Sequence, residues 1–276
     1  MEKLVSDILS KRELQNLDED IVNDLLKRYF QENSALKKIL DKKEYNPRST
    51  EYKQVVKEIR KTLREIYGVF IQKGYSKRET FLEELTKENT DDQISKILNL
   101  HQSTKERLPY YKTVYKKLFE ITGNPKIILD LACGLNPVSY PWLKCNPKYI
   151  ASDISKKDMV FLESFFSKIN VSGLGITIDL VKEQDKLASL KADVCFLFKT
   201  LDSLETRKRN ISKNLIEKIN AKWIVVSFSK VSLGGEKIIE KKKRNWFFNH
   251  LKQKNLHYQE FEVPNEYFIV IKKFLD

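Results

Sequence analysis

The chain has 276 residues, 32% of them charged and 41% hydrophobic, the balance of a globular chain with room for one large or two modest domains. Lys and Arg number 51 against 38 Asp and Glu, and the net charge of +13 favours polyanionic partners. No stretch approaches the ~20 apolar residues of a bilayer span, and Cys133, Cys145 and Cys195 are odd in number with no C-x-x-C spacing, so a membrane-spanning protein, a disulfide framework and a zinc site are set aside. His250 and His257 lack a second ligand at metal spacing, so no metal is expected. The N-terminus MEKLVSDILSKREL carries no signal-peptide core, and a reducing cytoplasm is the expected compartment.

From residue 1 to about 122 apolar residues recur at helical spacing, as in Val22, Leu25, Leu26, Tyr29, then Val55, Ile59, Leu63, Ile66, then Ile94, Ile97, Leu98. The pattern predicts five or six amphipathic helices and no strand. Breaks fall near Asn16–Asp18, Asn46–Ser49, Gly68, Gly74 and Asn89–Asp91, with Asp18 and Ser49 or Thr50 as N-caps. Lys53, Lys57, Arg60, Lys61 and Arg64 share one helical face, and Glu58 is the one acid between Lys53 and Arg64. That run reads either as a solvated face or as a phosphate-binding one. The polar segment His101–Arg107 follows. Its Ser103-Thr104 and Glu106 read either as a capping box or as part of a strap across a cofactor pocket, with Arg107 clamping a carboxylate bidentately.

From residue 126 onward strands and helices alternate. Strands are expected at about 126–132, 148–153, 174–179, 193–199, 222–228, 256–263 and 266–273, and helices at about 137–144, 155–169, 205–219 and 236–254. Short buried strands between helices argue for a parallel sheet covered on both faces. Only Pro264-Asn265-Glu266 separates the last two strands, too little for a crossover, so they form an antiparallel hairpin. The fold class is therefore α/β: a Rossmann-like domain with a mostly parallel seven-stranded sheet and a C-terminal hairpin, preceded by an all-helical N-terminal domain.

Residues 126–137, KIILDLACGLNP, form a strand, glycine turn and helix start, the opening unit of a nucleotide-binding sheet. The loop has one glycine, Gly134, and lacks the G-x-G-x-x-G cradle for a pyrophosphate. Asp130 at the strand end would repel a phosphate and suit an amine-bearing ligand. Asp153 after the second strand would accept from ribose hydroxyls, and Asp179 after the third would lie near an adenine. S-adenosylmethionine (SAM) has an amino group, a sulfonium and no phosphate, and fits this set better than strand-end caps alone do. Cys195 falls inside a strand and Cys145 in a loop, so neither serves as the nucleophile that cytosine C5 methylation needs. The segment after the fourth strand, Phe198-Lys199-Thr200-Leu201-Asp202, has no Asn/Asp-Pro-Pro-aromatic motif for an exocyclic amine. A ring nitrogen such as guanine N7 brings its own lone pair and needs no base.

With these features the chain resembles the 16S ribosomal RNA guanine-N7 methyltransferases that confer aminoglycoside resistance. The resemblance rests on His101-x-Ser103-Thr104-x-Glu106-Arg107-Leu108, Asp130-x-x-Cys133-Gly134-x-Asn136-Pro137, Asp153-Ile154, Phe198-Lys199 with Leu201 and Leu204, and Val226-Ser227-Phe228 with Ser232-Leu233-Gly234-Gly235, in the family's order. The chain departs from the family at Val231 and over 236–240. The resemblance implies SAM as cofactor and the 30S subunit's 16S rRNA as partner, with residues 1–105 as a helical RNA-binding domain and 106–276 as the methyltransferase domain. Arg107 would hold the methionine carboxylate, Gly134 would let the backbone approach SAM, Asp153 would bind the ribose, and Asp179 and Leu180 would frame the adenine. His101, Ser103, Asp130, Ala132, Ile154 and Phe198 complete the expected cofactor set. Lys199 would position the acceptor beside the methyl-transfer site, and the 227–235 loop would cover the target base. Lys53, Lys57, Arg60, Lys61, Arg64, Arg207, Lys208, Lys230, Lys241 and Lys242 are the expected RNA contacts. A monomer with no membrane association is expected. Two alternatives remain open: a methyltransferase acting on another rRNA or tRNA base or a small molecule, and an RNA-binding homologue without turnover.

Overall fold

The computed structural model describes residues 1–232 and 237–273. The chain divides into two compact units, Met1–Gln72 with Ser155–Lys157, and Lys73–Ile154 with Asp158–Asp276. This packing boundary at 72/73 differs from the functional boundary drawn at 105/106. The reason lies in residues 73–105 themselves: Arg78 pairs with the buried Asp158, and Asp91 accepts from Trp142 Nε1 at 2.7 Å. α8 (Tyr111–Thr122) follows, its Tyr115 ring stacked 6.4 Å from Phe196 of the sheet.

The first unit holds α1 (Glu2–Leu9), α2 (Glu19–Glu32), α3 (Ser34–Lys42) and α4 (Thr50–Ile66). Ser49 caps α4, its Oγ accepting from the Tyr52 amide at 3.2 Å. Tyr52, Val55, Ile59 and Leu63 form the buried stripe of α4 at the expected three- and four-residue steps, which leaves Lys53, Lys57, Lys61 and Arg64 exposed. Asp18 precedes α2 but makes no side-chain cap bond. Up to Leu98 the described chain forms six α-helices, in line with the five or six expected. One break carries no Gly or Pro signal: at Asn33 the side-chain Nδ2 donates to Tyr29 O at 2.9 Å and ends α2.

The second unit adds α5 (Arg78–Glu83), α6 (Thr90–Leu98) and α7 (Gln102–Arg107), and then the sheet. Its strands are β1 (Ile127–Leu131), β2 (Lys148–Asp153), β3 (Gly173–Thr177), β4 (Ala192–Phe198), β5 (Ala221–Ser229), β6 (His257–Val263) and β7 (Glu266–Lys272), in the order β3-β2-β1-β4-β5-β7-β6. β1 to β5 are mutually parallel, and β7 lies antiparallel between β5 and β6. The strand order reverses beside β1, so the crevice outside the carboxyl ends of β1 and β4 is the expected ligand position.

Several helices differ from expectation. Asn136–Leu143 is a 3-10 helix rather than an α-helix, with Pro137 and Pro141 inside it, each removing a donor. The helix expected over 155–169 is α9 (Lys156–Lys168), whereas the one expected over 205–219 is two, α10 (Leu201–Arg207) and α11 (Ile211–Lys218), separated at Asn210, whose φ is +62°. The helix expected from 236 starts at the 3-10 turn Lys241–Arg244 and continues as α12 (Asn245–Gln253). Glu236 lies outside the described residues, and Ile238 instead forms an antiparallel bridge to Val231.

Candidate active site

Asp130 is the second-last residue of β1 and is 1% exposed. Its Oδ2 accepts from Asn136 Nδ2 at 2.8 Å and from the Tyr149 hydroxyl at 2.7 Å, while Oδ1 has no hydrogen-bond partner. Burial pushes its carboxyl up to about 7, against the lowering pull of those two bonds. A buried carboxylate oxygen with no donor is a standing deficit that a cationic ligand would fill.

The β1 loop turns through Ala132 and Gly134, both at φ +51°. Ala132 is exposed, and a non-glycine residue in this region is strained. Gly134 is required for a second reason. A Cβ there would lie 2.7 Å from Cε1 and Nε2 of His101, so the close neighbour of Gly134 is the His101 ring. His101 is buried, its Nδ1 lies 3.1 Å from Ser103 Oγ, and burial, aided by Arg107 and Lys199, pushes its imidazole down to about 3, so the ring is neutral near pH 7. Asp153 ends β2 half-buried, with Oδ2 accepting from the Gly134 amide at 2.8 Å and Oδ1 from the Ile154 amide at 2.6 Å.

Arg107, at the end of α7, is 1% exposed. Its Nε and Nη2 donate to Glu266 Oε2 and Oε1 at 3.1 and 2.7 Å, and Nη1 to Asn136 Oδ1 at 3.1 Å and the Tyr111 hydroxyl at 3.4 Å. Its guanidinium lies 4.6 Å from the Phe198 ring centroid. The bidentate clamp expected for a ligand carboxylate is thus made to an internal one, Glu266, which is fully buried. Lys199 follows β4 at φ +57°, with its amide donating to Ser227 Oγ at 3.0 Å. Its ammonium pairs with Glu106 and stands 3.8 Å from Glu266 Oε2. α7 shows no side-chain cap bond, so Glu106 serves Lys199 rather than a capping box. One buried polar network therefore joins Lys199, Glu266, Arg107, Asn136 and Asp130.

Other expected residues are placed differently. Asp179 is held by Arg207, with both guanidinium nitrogens at 3.2 Å, and its Oδ1 accepts from the Val181 amide at 2.9 Å. Arg207 is thus committed to a carboxylate at the end of the sheet rather than standing among the exposed cations. Leu180 is 4% exposed and belongs to the hydrophobic core. In the first unit Lys53, Lys57, Arg60 and Arg64 line a groove of ≈ 510 Å³ with Lys11 and Asp7. There Arg60 is fixed by Asp7 O, by Ile8 O at 3.2 Å and by Ser10 Oγ at 3.0 Å, and Arg64 pairs with Glu13 at 2.8 Å. Lys61 and Lys208 are exposed. Lys230, Lys241 and Lys242 pair with Glu262, Glu260 and Glu240. Of the loop expected to cover the target base, Leu233, Gly234 and Gly235 lie outside the described residues.

Glu266 and Tyr149 are site residues that sequence reasoning missed, and Glu106 and Asn136 were quoted as motif positions without the partners they take here. Glu266 reads as the last residue of a hairpin turn. The signal that marks it is an acid directly abutting the apolar run Tyr267–Ile271. Among the described residues no group of three or more His, Cys, Asp or Glu could hold a metal ion, and no helix is long and apolar enough to cross a membrane.

A sheet of order 3-2-1-4-5-7-6 with acids at the ends of β1 and β2 and a single-glycine loop defines a Rossmann-like SAM-dependent methyltransferase fold. The residues present fit that cofactor: the unpaired Asp130 Oδ1 suits its ammonium, and the loop offers no diphosphate cradle. The ribosomal RNA methyltransferase (FmrO) family model matches residues 33–271, and the chain belongs to that family. It is 31% identical over 228 residues to the 16S rRNA (guanine(1405)-N(7))-methyltransferases of Micromonospora echinospora and Micromonospora rosea, covering 79% of this chain and 82% of each relative. The crystal structure of the 16S rRNA methyltransferase RmtF in complex with S-adenosyl-L-homocysteine shares the fold, with a TM-score of 0.77 at 24% identity over 99% of this chain and 98% of that one.

Proposed function

We propose that this chain methylates N7 of a guanine in the 16S rRNA of the 30S subunit and thereby protects the ribosome from aminoglycosides. The observation that carries the reading is the buried Asp130 carboxylate, one oxygen unpaired, at the switch point of a chain in an rRNA methyltransferase family. The names of its relatives support guanine N7 as the acceptor.

The roles follow from the geometry. Asp130 Oδ1 accepts from the cofactor's ammonium, and Asp153 accepts from its ribose. His101, Ser103, Ala132, Gly134 and Ile154 shape the walls around it. Arg107 keeps one Nη2 proton uncommitted, enough for a single bond to the methionine carboxylate rather than a fork. Asp179 and Leu180 stand on the adenine side. When bound, the cofactor supplies an electrophilic methyl group on a sulfonium. Since N7 has a free lone pair, the protein's work is positioning. Lys199, held by Glu106 and Glu266, donates to the carbonyl edge of the base; guanine offers O6 beside N7. Lys53, Lys57 and Lys61 contact RNA phosphates, with residues 1–105 serving docking and 106–276 the chemistry. The enzyme acts as a monomer in the cytoplasm, where 30S subunits are.

The test is transfer from labelled SAM to 30S subunits, naked 16S rRNA and bulk tRNA in parallel, with the nucleoside identified by mass spectrometry. N7-methylguanosine on 30S subunits is the expected product. Label on tRNA, or another nucleoside, overturns the acceptor. Arg107→Ala and Asp153→Ala each weaken SAM binding severely; unchanged affinity in both overturns the pocket.

A further inference from the structure

Side chains at consecutive strand positions point to opposite faces of a sheet. Glu266 faces the Arg107 site, so Tyr267 faces the other side. There it helps line a groove of ≈ 400 Å³ together with Lys230, Ile238, Lys241, Glu260 and Glu262, a volume in the range of small-ligand sites. The groove lies at the carboxyl end of β5, where the chain leaves toward Val231.

Three observations say what would fill it. First, its charges cancel in pairs: Lys230 Nζ lies 3.0 Å from Glu262, and Lys241 pairs with Glu260. A phosphate finds no surplus cation there. Second, hydrogen-bonding capacity is left over. Tyr267 is 7% exposed and its hydroxyl has no partner of good geometry. Beside it Arg244, 2% exposed, spends Nη2 on Asp202 Oδ2 at 2.6 Å and Ser229 O at 3.3 Å, while Nη1 has no partner. Burial pushes the Tyr267 phenol up to about 12, so the group waits as an O–H. A buried hydroxyl without an acceptor is costly, and of the two only Tyr267 lines the groove, where a carbonyl oxygen would answer it. Third, the mouth carries Ile238, 81% exposed, an apolar side chain with no cover. A tyrosine ring with an unspent hydroxyl, apolar side chains at Ile238, Ile239 and Phe261, and balanced charge suit an unstacked nucleobase.

We propose that this groove receives an unstacked, carbonyl-bearing base of the RNA substrate, a base other than the one methylated. The proposal rests on the reading that the substrate is 16S rRNA. It assigns Tyr267 to specificity rather than to methyl transfer, since its side chain lies across the sheet from Lys199, and leaves Arg244 as the support beside it.

Tyr267→Phe is the discriminating variant, because it removes only the unpartnered hydroxyl. KM for 30S subunits is expected to rise about 5- to 10-fold, the worth of one hydrogen bond, with SAM affinity unchanged and thermal stability equal or higher. A hydroxyl that served the fold would instead lower the melting temperature. In parallel, a photoreactive p-benzoylphenylalanine in place of Ile238 is expected to crosslink to one nucleotide of 16S rRNA. Unchanged KM in Tyr267→Phe, or a crosslink to a ribosomal protein alone, overturns the proposal. If the wild-type chain methylates no 16S rRNA, the functional reading has failed instead. Methylation by wild type with an unmoved KM in the variant isolates failure to this groove.

Discussion

Glu266→Gln removes one charge and keeps the volume of the side chain that joins the two halves of the site. The pair it breaks is among the most enclosed in the chain, with Arg107 and Glu266 side chains 1% and 0% exposed and 2.7 Å apart. Gln keeps one oxygen, so either Lys199 Nζ loses an oxygen 3.8 Å away or Ser227 loses its acceptor. An uncompensated charge in such a place costs about 3–5 kcal/mol, and in either orientation the amide turns a donor toward the guanidinium. Urea unfolding followed by tryptophan fluorescence is the assay. Trp142, Trp223 and Trp246 all belong to the unit that contains the sheet, so the signal reports that unit. A double-mutant cycle with Arg107→Leu separates the pair from its surroundings. The coupling is expected to be about 2 kcal/mol or more, since removing both partners spares the stranded charge. A loss below about 1 kcal/mol in Glu266→Gln, or additivity within about 0.5 kcal/mol in the cycle, would refute the claim that Glu266 is the counter-ion that holds Arg107.

Asp130→Asn is expected to weaken SAM binding at least 10-fold by calorimetry, the loss of one charge-assisted contact, and to change how stability depends on pH. The wild-type carboxyl keeps its proton up to about 7 in the fold, above its ordinary value of 3.8. Between those values the folded chain binds more protons than the unfolded one, so stability falls as pH rises through that window. The variant's melting temperature should lose that slope, and an identical slope would show that Asp130 is not its source. Gly134→Ala meets both a positive φ and the His101 ring at 2.7 Å. It should cost about 1–2 kcal/mol for the backbone alone and abolish SAM binding, with His101→Ala restoring part of the stability. Lys53→Ala and Lys57→Ala should each lower the salt slope of 30S binding by about 1 without affecting stability. Arg60→Ala should lower stability instead, because its guanidinium holds the end of α1; a salt slope moved as far by Arg60→Ala as by Lys53→Ala would contradict that division.

The strand, glycine turn and Asn-Pro segment around Asp130, the alternation of strands and helices after it, and the basic face of α4 are all legible in the residues, because hydrophobic period and turn chemistry act over a few neighbours. Family membership is legible for the same reason: its motifs are short and co-linear. The N-cap Ser49 was readable, whereas the break at Asn33 was not, since a side chain folding back on its own helix leaves no compositional mark. The terminal hairpin was readable from its short turn, while the place of β7 between β5 and β6 was not among the expectations. Its signal is compositional: Tyr267–Ile271 is an unbroken apolar run fit for an inner strand, whereas β6 carries Gln259, Glu260 and Glu262 and suits the edge. The largest gap is electrostatic. Arg107 finds Glu266 across 159 positions, and Arg207 finds Asp179 across 28. Long charged side chains choose among whatever the backbone brings within a few ångströms. Residue type and spacing alone determined that this chain carries a SAM-type loop and a basic helix. Which cations stand exposed and which are spent inside was decided only when the tertiary structure set burial and distance, the two quantities on which a charge's energy depends.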